Sequence, residues 1–136
     1  MTDNVFTGGC LCRAVRYKAT GTPILRALCH CDSCRKASGA PMSAWIMFMA
    51  SDVVFEGTPT TYASSDGCAR GFCGTCGTSL CFTAGYLPGL IDLTIGSLDE
   101  PARATPMLQS WDSKRLPWLQ VGEGIPAHAE FPPFPS

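Results

Sequence analysis

The chain has 136 residues, 46% of them apolar and 15% charged, with a net charge of −1. That length gives one domain with an ordinary core, and the apolar content excludes wholesale disorder. Lys and Arg are scattered, which excludes the basic stripe that nucleic acid or an anionic membrane surface requires.

In chain order, residues 1–9 carry no charged leader followed by an apolar run, so no secretory signal is expected. Residues 14–20 alternate, with Val15, Tyr17 and Ala19 on one face and Arg16, Lys18 and Thr20 on the other, the period of a half-buried strand. A short helical turn is predicted over residues 32–36. Asp32 or Ser33 is placed to cap it, and Gly39 and Pro41 stop it. Residues 43–50 are apolar on both faces, as in a central strand. Shorter strands are predicted at 53–55, 60–63, 79–83 and 107–111, and residues 90–97 alternate again, Ile91, Leu93 and Ile95 opposing Asp92, Thr94 and Gly96. The longest uncharged stretch, 71–91, holds several glycines and Pro88 and does not suit an apolar helix in lipid. The tail from 122 to 136 contains four prolines and should run irregularly across the body. With 14 glycines and 11 prolines as punctuation, the expectation is a mainly β single domain, 1–136, soluble and cytoplasmic.

Nine cysteines is an odd and large number for this length. Seven of them fall in three tight groups: Cys10 and Cys12; Cys29, Cys31 and Cys34; Cys73 and Cys76. Thiols one or two residues apart are poorly placed to bridge each other, and disulfides need an oxidising compartment that nothing here indicates. The same spacing suits shared coordination of an ion.

Phe72-Cys73-Gly-Thr-Cys76-Gly77 has the form of a zinc knuckle, which supplies two thiolates where structural zinc wants four. Gly8-Gly9-Cys10-Leu-Cys12 is the evident second donor, giving a four-thiolate set of Cys10, Cys12, Cys73 and Cys76. The competing reading is that one pair packs as buried free cysteine. Cys29, Cys31 and Cys34 offer three thiolates, the number that leaves a catalytic zinc one open position. His30, Cys68 or Cys81 could instead close that site. His30 lies between two ligands and should point away from their ion, and the two cysteines suit a packed β body. Arg35 and Lys36, directly after Cys34, could offset the charge of three thiolates or simply be solvated. Iron also accepts thiolates, but two zinc ions per chain, the second the more labile, are expected.

The three groups, in their order and with their flanking residues, resemble the glutathione-dependent formaldehyde-activating enzyme family, which includes centromere protein V-like members. The matching stretches run from Gly8 to Cys12, from Cys29 through Arg35, Ala37, Ser38, Gly39, Ala40 and Pro41, and from Gly71 to Gly77. They continue at Gly96-Ser-Leu-Asp99 and at Pro117-Trp118. The resemblance implies a zinc-bound β-tent fold of short antiparallel strands. Cys10, Cys12, Cys73 and Cys76 correspond to its structural zinc, and Cys29, Cys31 and Cys34 to its catalytic one. It also implies a carbon–sulfur lyase that joins glutathione and formaldehyde into S-hydroxymethylglutathione. There is one departure. The family often carries His nine residues before the Trp of the Pro-Trp pair, where this chain has Gln109, a residue that exchanges no proton near neutral pH.

Two functions from different classes follow. The first is a zinc-dependent lyase acting on an adduct of glutathione or another small thiol. Arg35, Lys36, Arg70, Lys114 and Arg115 are its candidates for receiving the ligand's carboxylates. The second is a binding module in which both metals are structural and Trp111, Trp118, Phe131 and Phe134 contribute an exposed apolar patch. Redox or metal handling by the closely spaced thiolates is a third, lesser reading.

Overall fold

The structure, a computed structural model, describes residues 4–134. The leader reading at Met1, Thr2 and Asp3 and the last two residues of the tail lie outside them. The chain is mainly β, as the punctuated sequence predicts. Three strands form a small antiparallel sheet in the order β1 (Val5–Gly9), β2 (Arg16–Thr20), β5 (Val53–Glu56). Seven form a larger one, in the order β10 (Leu108–Ser110), β3 (Leu25–Cys29), β4 (Ser43–Met49), β9 (Leu90–Thr94), β8 (Ser79–Ala84), β7 (Cys68–Phe72), β6 (Thr60–Ser65). Every pairing is antiparallel except that of β10 with β3. Among the described residues no helix is long and apolar enough to cross a membrane.

The main core lies between the two sheets. Phe6, Tyr17 and Ala19 from the small sheet meet Ile46, Phe48, Ile91 and Leu93 from the large one. Because side chains alternate along a strand, the intervening residues of β4 and β9 face the opposite way. Trp45, Met47 and Asp92 therefore sit on the outer face of the large sheet, and that face is the floor of a cavity. A bulge between β7 and β8 adjusts this alternation: Gly71 pairs with Cys81 and Phe72 with Ser79, leaving Leu80 unpaired. Leu80 and Cys81 both join the core, and Phe82 is left on the cavity side. Gly71 makes room for this, since a Cβ there would meet the Cys81 sulfur at 2.4 Å.

Three strands differ from the sequence expectation. β1 ends in two glycines, β3 is apolar on both faces apart from Arg26, and β7 has only small residues and Arg70 before Phe72, so none carries a clear period-two signal. The predicted strand at 90–97 ends at Thr94 and turns into a short 3-10 segment, Ile95–Ser97. The strand predicted at 107–111 is only Leu108–Ser110. It ends because Trp111 adopts φ +54°, a left-handed conformation uncommon for a bulky residue, which breaks the ladder.

The helix, α1 (Asp32–Ser38), is capped by neither Asp32 nor Ser33. Cys31 holds the N-cap position, and its sulfur accepts from the Cys34 amide at 3.3 Å. Gly39, at φ 70°, closes the other end.

Candidate functional site

The first sulfur cluster joins the two sheets. Cys10 and Cys12 follow β1, and Cys73 and Cys76 lie in the turn between β7 and β8. The four sulfurs lie within 4.8 Å of one another, with Cys10 to Cys12 at 3.6 Å and Cys12 to Cys73 at 3.7 Å. No disulfide forms among the described cysteines. Four thiolates on a tetrahedral zinc, at about 2.3 Å each, would have sulfurs about 3.8 Å apart. The spacing fits the ion.

The backbone is arranged for sulfur as an acceptor. The amides of Thr75 and Cys76 each donate to the Cys73 sulfur at 3.4 Å, and the Val15 amide donates to Cys10 at 3.2 Å. Gly77, at φ 82°, allows the turn that aims these amides inward. These bonds favour thiolates: the amides of Cys76 and Thr75 hold the Cys73 thiol below its usual range, and the Thr78 hydroxyl and amide bring Cys76 down to about 5.

The second cluster lies across the large sheet. Cys29 ends β3, Cys31 caps α1 and Cys34 sits in its first turn, with the three sulfurs within 4.8 Å of one another. Among the described residues no fourth Cys, His, Asp or Glu joins this group. His30 is 1% exposed and places its Nε2 2.7 Å from Oε1 of Gln109, away from the sulfurs. Cys81 packs in the core between the sheets, and Cys68 lies in the cavity wall beside Met47 and Leu87.

Hydrogen bonds from Cys29 and then Cys34, helped by the nearby Arg70 charge, push the Cys31 thiol well down, while the same bonds push Cys29 up. Arg70 faces this cluster, its two terminal nitrogens 3.7 and 3.8 Å from the Cys34 sulfur and its guanidinium stacked 4.8 Å from the Phe82 ring.

These three cysteines open on a cavity of about 390 Å³, the size of a small-molecule site. Its floor is the outer face of the large sheet, and its rim is aromatic. Trp111 meets Phe131 at 5.3 Å, and Phe131 meets Tyr86 at 5.6 Å and Phe134 at 5.5 Å between ring centroids. The tail thus supplies part of the wall through Phe131, Pro132 and Phe134.

Of the cations singled out in the sequence, Arg70 and Lys114 line the cavity, and Lys114 also lies 3.9 Å from an Asp32 carboxylate oxygen. Arg35 is paired with Asp32 at 2.9 Å, and Arg115 is paired with Asp112 at 2.8 Å and bonded to Gln109. Lys36 is exposed and outside the cavity lining. Trp118 is 67% exposed and also takes no part in the cavity.

Sequence reasoning missed Asp92. Its alternating strand suggested a solvated face, yet β9 is flanked on both sides and its second face lines the cavity. The available signal was the apolar character of both faces of residues 43–50, which marks the sheet beside β9 as covered on both sides.

Three comparisons bear on this geometry. The matching stretch of a curated protein of Schizosaccharomyces pombe, named an uncharacterized lyase, is 35% identical over 77 residues; it covers 57% of this chain and 56% of that protein's length. A crystal structure of a Rhodobacter sphaeroides protein superposes with a TM-score of 0.57 at 20% identity, covering 68% of this chain and 87% of the other, which shows a shared fold. The family model for the glutathione-dependent formaldehyde-activating enzyme matches residues 5–114, a span that holds all three cysteine groups. The chain belongs to the glutathione-dependent formaldehyde-activating enzyme family.

Proposed function

We propose that the chain is a single-domain, cytoplasmic, zinc-dependent carbon–sulfur lyase that makes and breaks the adduct between a small thiol, glutathione or a relative of it, and an aldehyde such as formaldehyde. The observation that carries this reading is the three-sulfur cluster, without a fourth protein ligand among the described residues, opening directly on a cavity of ligand size. Family membership and the name of the yeast relative support the lyase class. Cys10, Cys12, Cys73 and Cys76 would hold one zinc as a staple, and Cys29, Cys31 and Cys34 the other. Bound at the second set, zinc supplies a Lewis-acidic centre with a free position for sulfur or a carbonyl oxygen.

The rest of the site acts through its own side chains. In the forward direction the thiol loses its proton, its sulfur attacks the aldehyde carbon, and the carbonyl oxygen takes up a proton to become the adduct's hydroxyl. Arg70 holds its charge against Cys34 and so favours the anionic state of the cluster. Trp45, Phe82 and the aromatic rim give the reacting atoms an apolar wall. Lys114, at the mouth, is placed to receive a ligand carboxylate.

The test is metal content per chain together with zinc X-ray absorption during a glutathione titration. Close to two zincs, with an added sulfur ligand appearing as glutathione binds, is the expected result. Two zincs whose ligands never change would mean that both sites are closed, and would favour the binding-module reading.

A further inference from the structure

One cross-strand row of the cavity floor runs Arg70, Phe82, Asp92, Met47, Leu25 over strands β7, β8, β9, β4 and β3. All five line the cavity. Asp92 is the anomaly in this row. It is part-buried between Phe82 and Met47 on a central strand, and no described residue gives its carboxylate a hydrogen bond or an ion pair. Burial pushes its carboxyl up to about 7; the Tyr86 phenol lines the same cavity and feels the Asp92 charge, but makes no hydrogen bond to it. Arg70, two strands away, is committed to Cys34 and Phe82.

A carboxylate partly withdrawn from water without a bonded partner is costly, and Asp92 is covered by β4 and β8 on its flanks and open only toward the cavity. The cavity is the direction from which a counter-charge can reach it. Phe82 also packs against Cys29, Cys34 and Trp45, so one aromatic side chain separates Asp92 from the sulfur cluster. A ligand whose sulfur lies at the cluster would meet Asp92 with a group several bonds away from that sulfur.

We propose that Asp92 is a specificity-determining residue that receives the ammonium group of the thiol substrate, so that the cavity takes amine-bearing thiols of the γ-glutamyl-peptide kind over thiols without an amine. This inference rests on the thiol reading above. Asp92 acts on binding, not on the bond-making atoms. The row then places an anion beyond an aromatic face, on the side away from the sulfurs, a pattern complementary to a thiol that carries an ammonium group and not to a purely acidic one.

The test is calorimetric titration of the zinc-loaded full chain near pH 8 with glutathione and with its deaminated analogue, in the wild type and in Asp92→Asn, a near-isosteric change that keeps the fold. The wild type should bind glutathione about tenfold or more tightly than the analogue, as expected for a desolvated charge pair. Asp92→Asn should abolish that preference by weakening glutathione, with the analogue bound no more weakly than by the wild type. Equal binding of both thiols by the wild type, or a preference that survives in Asp92→Asn, would overturn the role of Asp92 and leave the thiol site standing. If neither thiol binds, the thiol reading falls and this inference falls with it.

Discussion

Nε2 of His30 lies 2.7 Å from Oε1 of Gln109, both side chains fully enclosed, and Nη2 of Arg115 reaches the same oxygen at 2.7 Å. Arginine can only donate, so Oε1 is the acceptor for both, and His30 carries its proton on Nε2. The Gln109 amide nitrogen completes the network on the carbonyls of Val121 and Gly122 at 3.3 Å each. Gln109 is not among the cavity-lining residues. Its place is structural: it holds the backbone between Cys29 and Cys31 from behind.

Gln109→Ala would leave the buried His30 donor without an acceptor and take one from the part-buried Arg115, a loss of about 1–3 kcal/mol. Urea unfolding should show it. Gln109→His offers one acceptor nitrogen to two donors and should lie between Ala and the wild type. If Ala unfolds at the wild-type midpoint, the network contributes nothing to stability.

The first sulfur cluster is a staple between sheets, because Cys10 and Cys12 leave the small sheet and Cys73 and Cys76 connect strands of the large one. Structural zinc contributes on the order of 10 kcal/mol. Cys73→Ser should therefore lose one zinc per chain and most of its resistance to heat, whereas Cys34→Ser should lose the other zinc and unfold close to the wild type. Metal analysis paired with thermal unfolding separates the two. Equal destabilisation by both variants would make the second cluster structural as well.

Much of this site was legible in the sequence, for a physical reason. The candidate ligands are cysteines in closely spaced groups, and that spacing is visible in the linear chain. The Cys73–Cys76 knuckle and the Cys29–Cys34 loop fold locally, so their chemistry could be read before their position in space. The pairing of Cys10 with Cys73 followed from ligand number. The cavity was less legible because it is assembled across strands. Arg70, Phe82 and Asp92 come together only through register, and the bulge at Leu80 that turns Phe82 outward has no mark in the sequence. The capping sulfur of Cys31 was hidden by better-known capping residues beside it.

Arg70 sets the charge around the second cluster. Its guanidinium favours the thiolates of Cys31 and Cys34. Arg70→Met keeps an apolar side chain over Phe82 and removes the charge. Zinc loading of the second site should then require a higher pH, by roughly one unit for an opposite charge this close, with the first site unchanged. Zinc retained at each pH against a chelator measures the shift. Identical loading curves would mean that solvent already screens Arg70.

Asp92 imposes an unusual pH dependence on stability. Its carboxyl is raised by burial from 3.8 to about 7 in the folded chain. Between those values the native state keeps a proton that the unfolded chain has released. Stability therefore falls as pH rises from about 4 to about 7 and levels off above, by up to roughly 4 kcal/mol. Acid releases zinc from thiolates, so the informative window is the upper part, and the informative quantity is the difference between variants. Asp92→Asn has no carboxyl to ionise. It should lack this decline and be the more stable protein above neutral pH, with the gap closing as the pH falls. Urea unfolding of zinc-loaded protein from about pH 5.5 to 8 measures that gap. Parallel curves would show that the Asp92 carboxylate is solvated or paired in the free protein, and an ammonium group would then gain little by reaching it. A gap that opens with pH and shrinks when glutathione is bound would join the stability cost to the binding role.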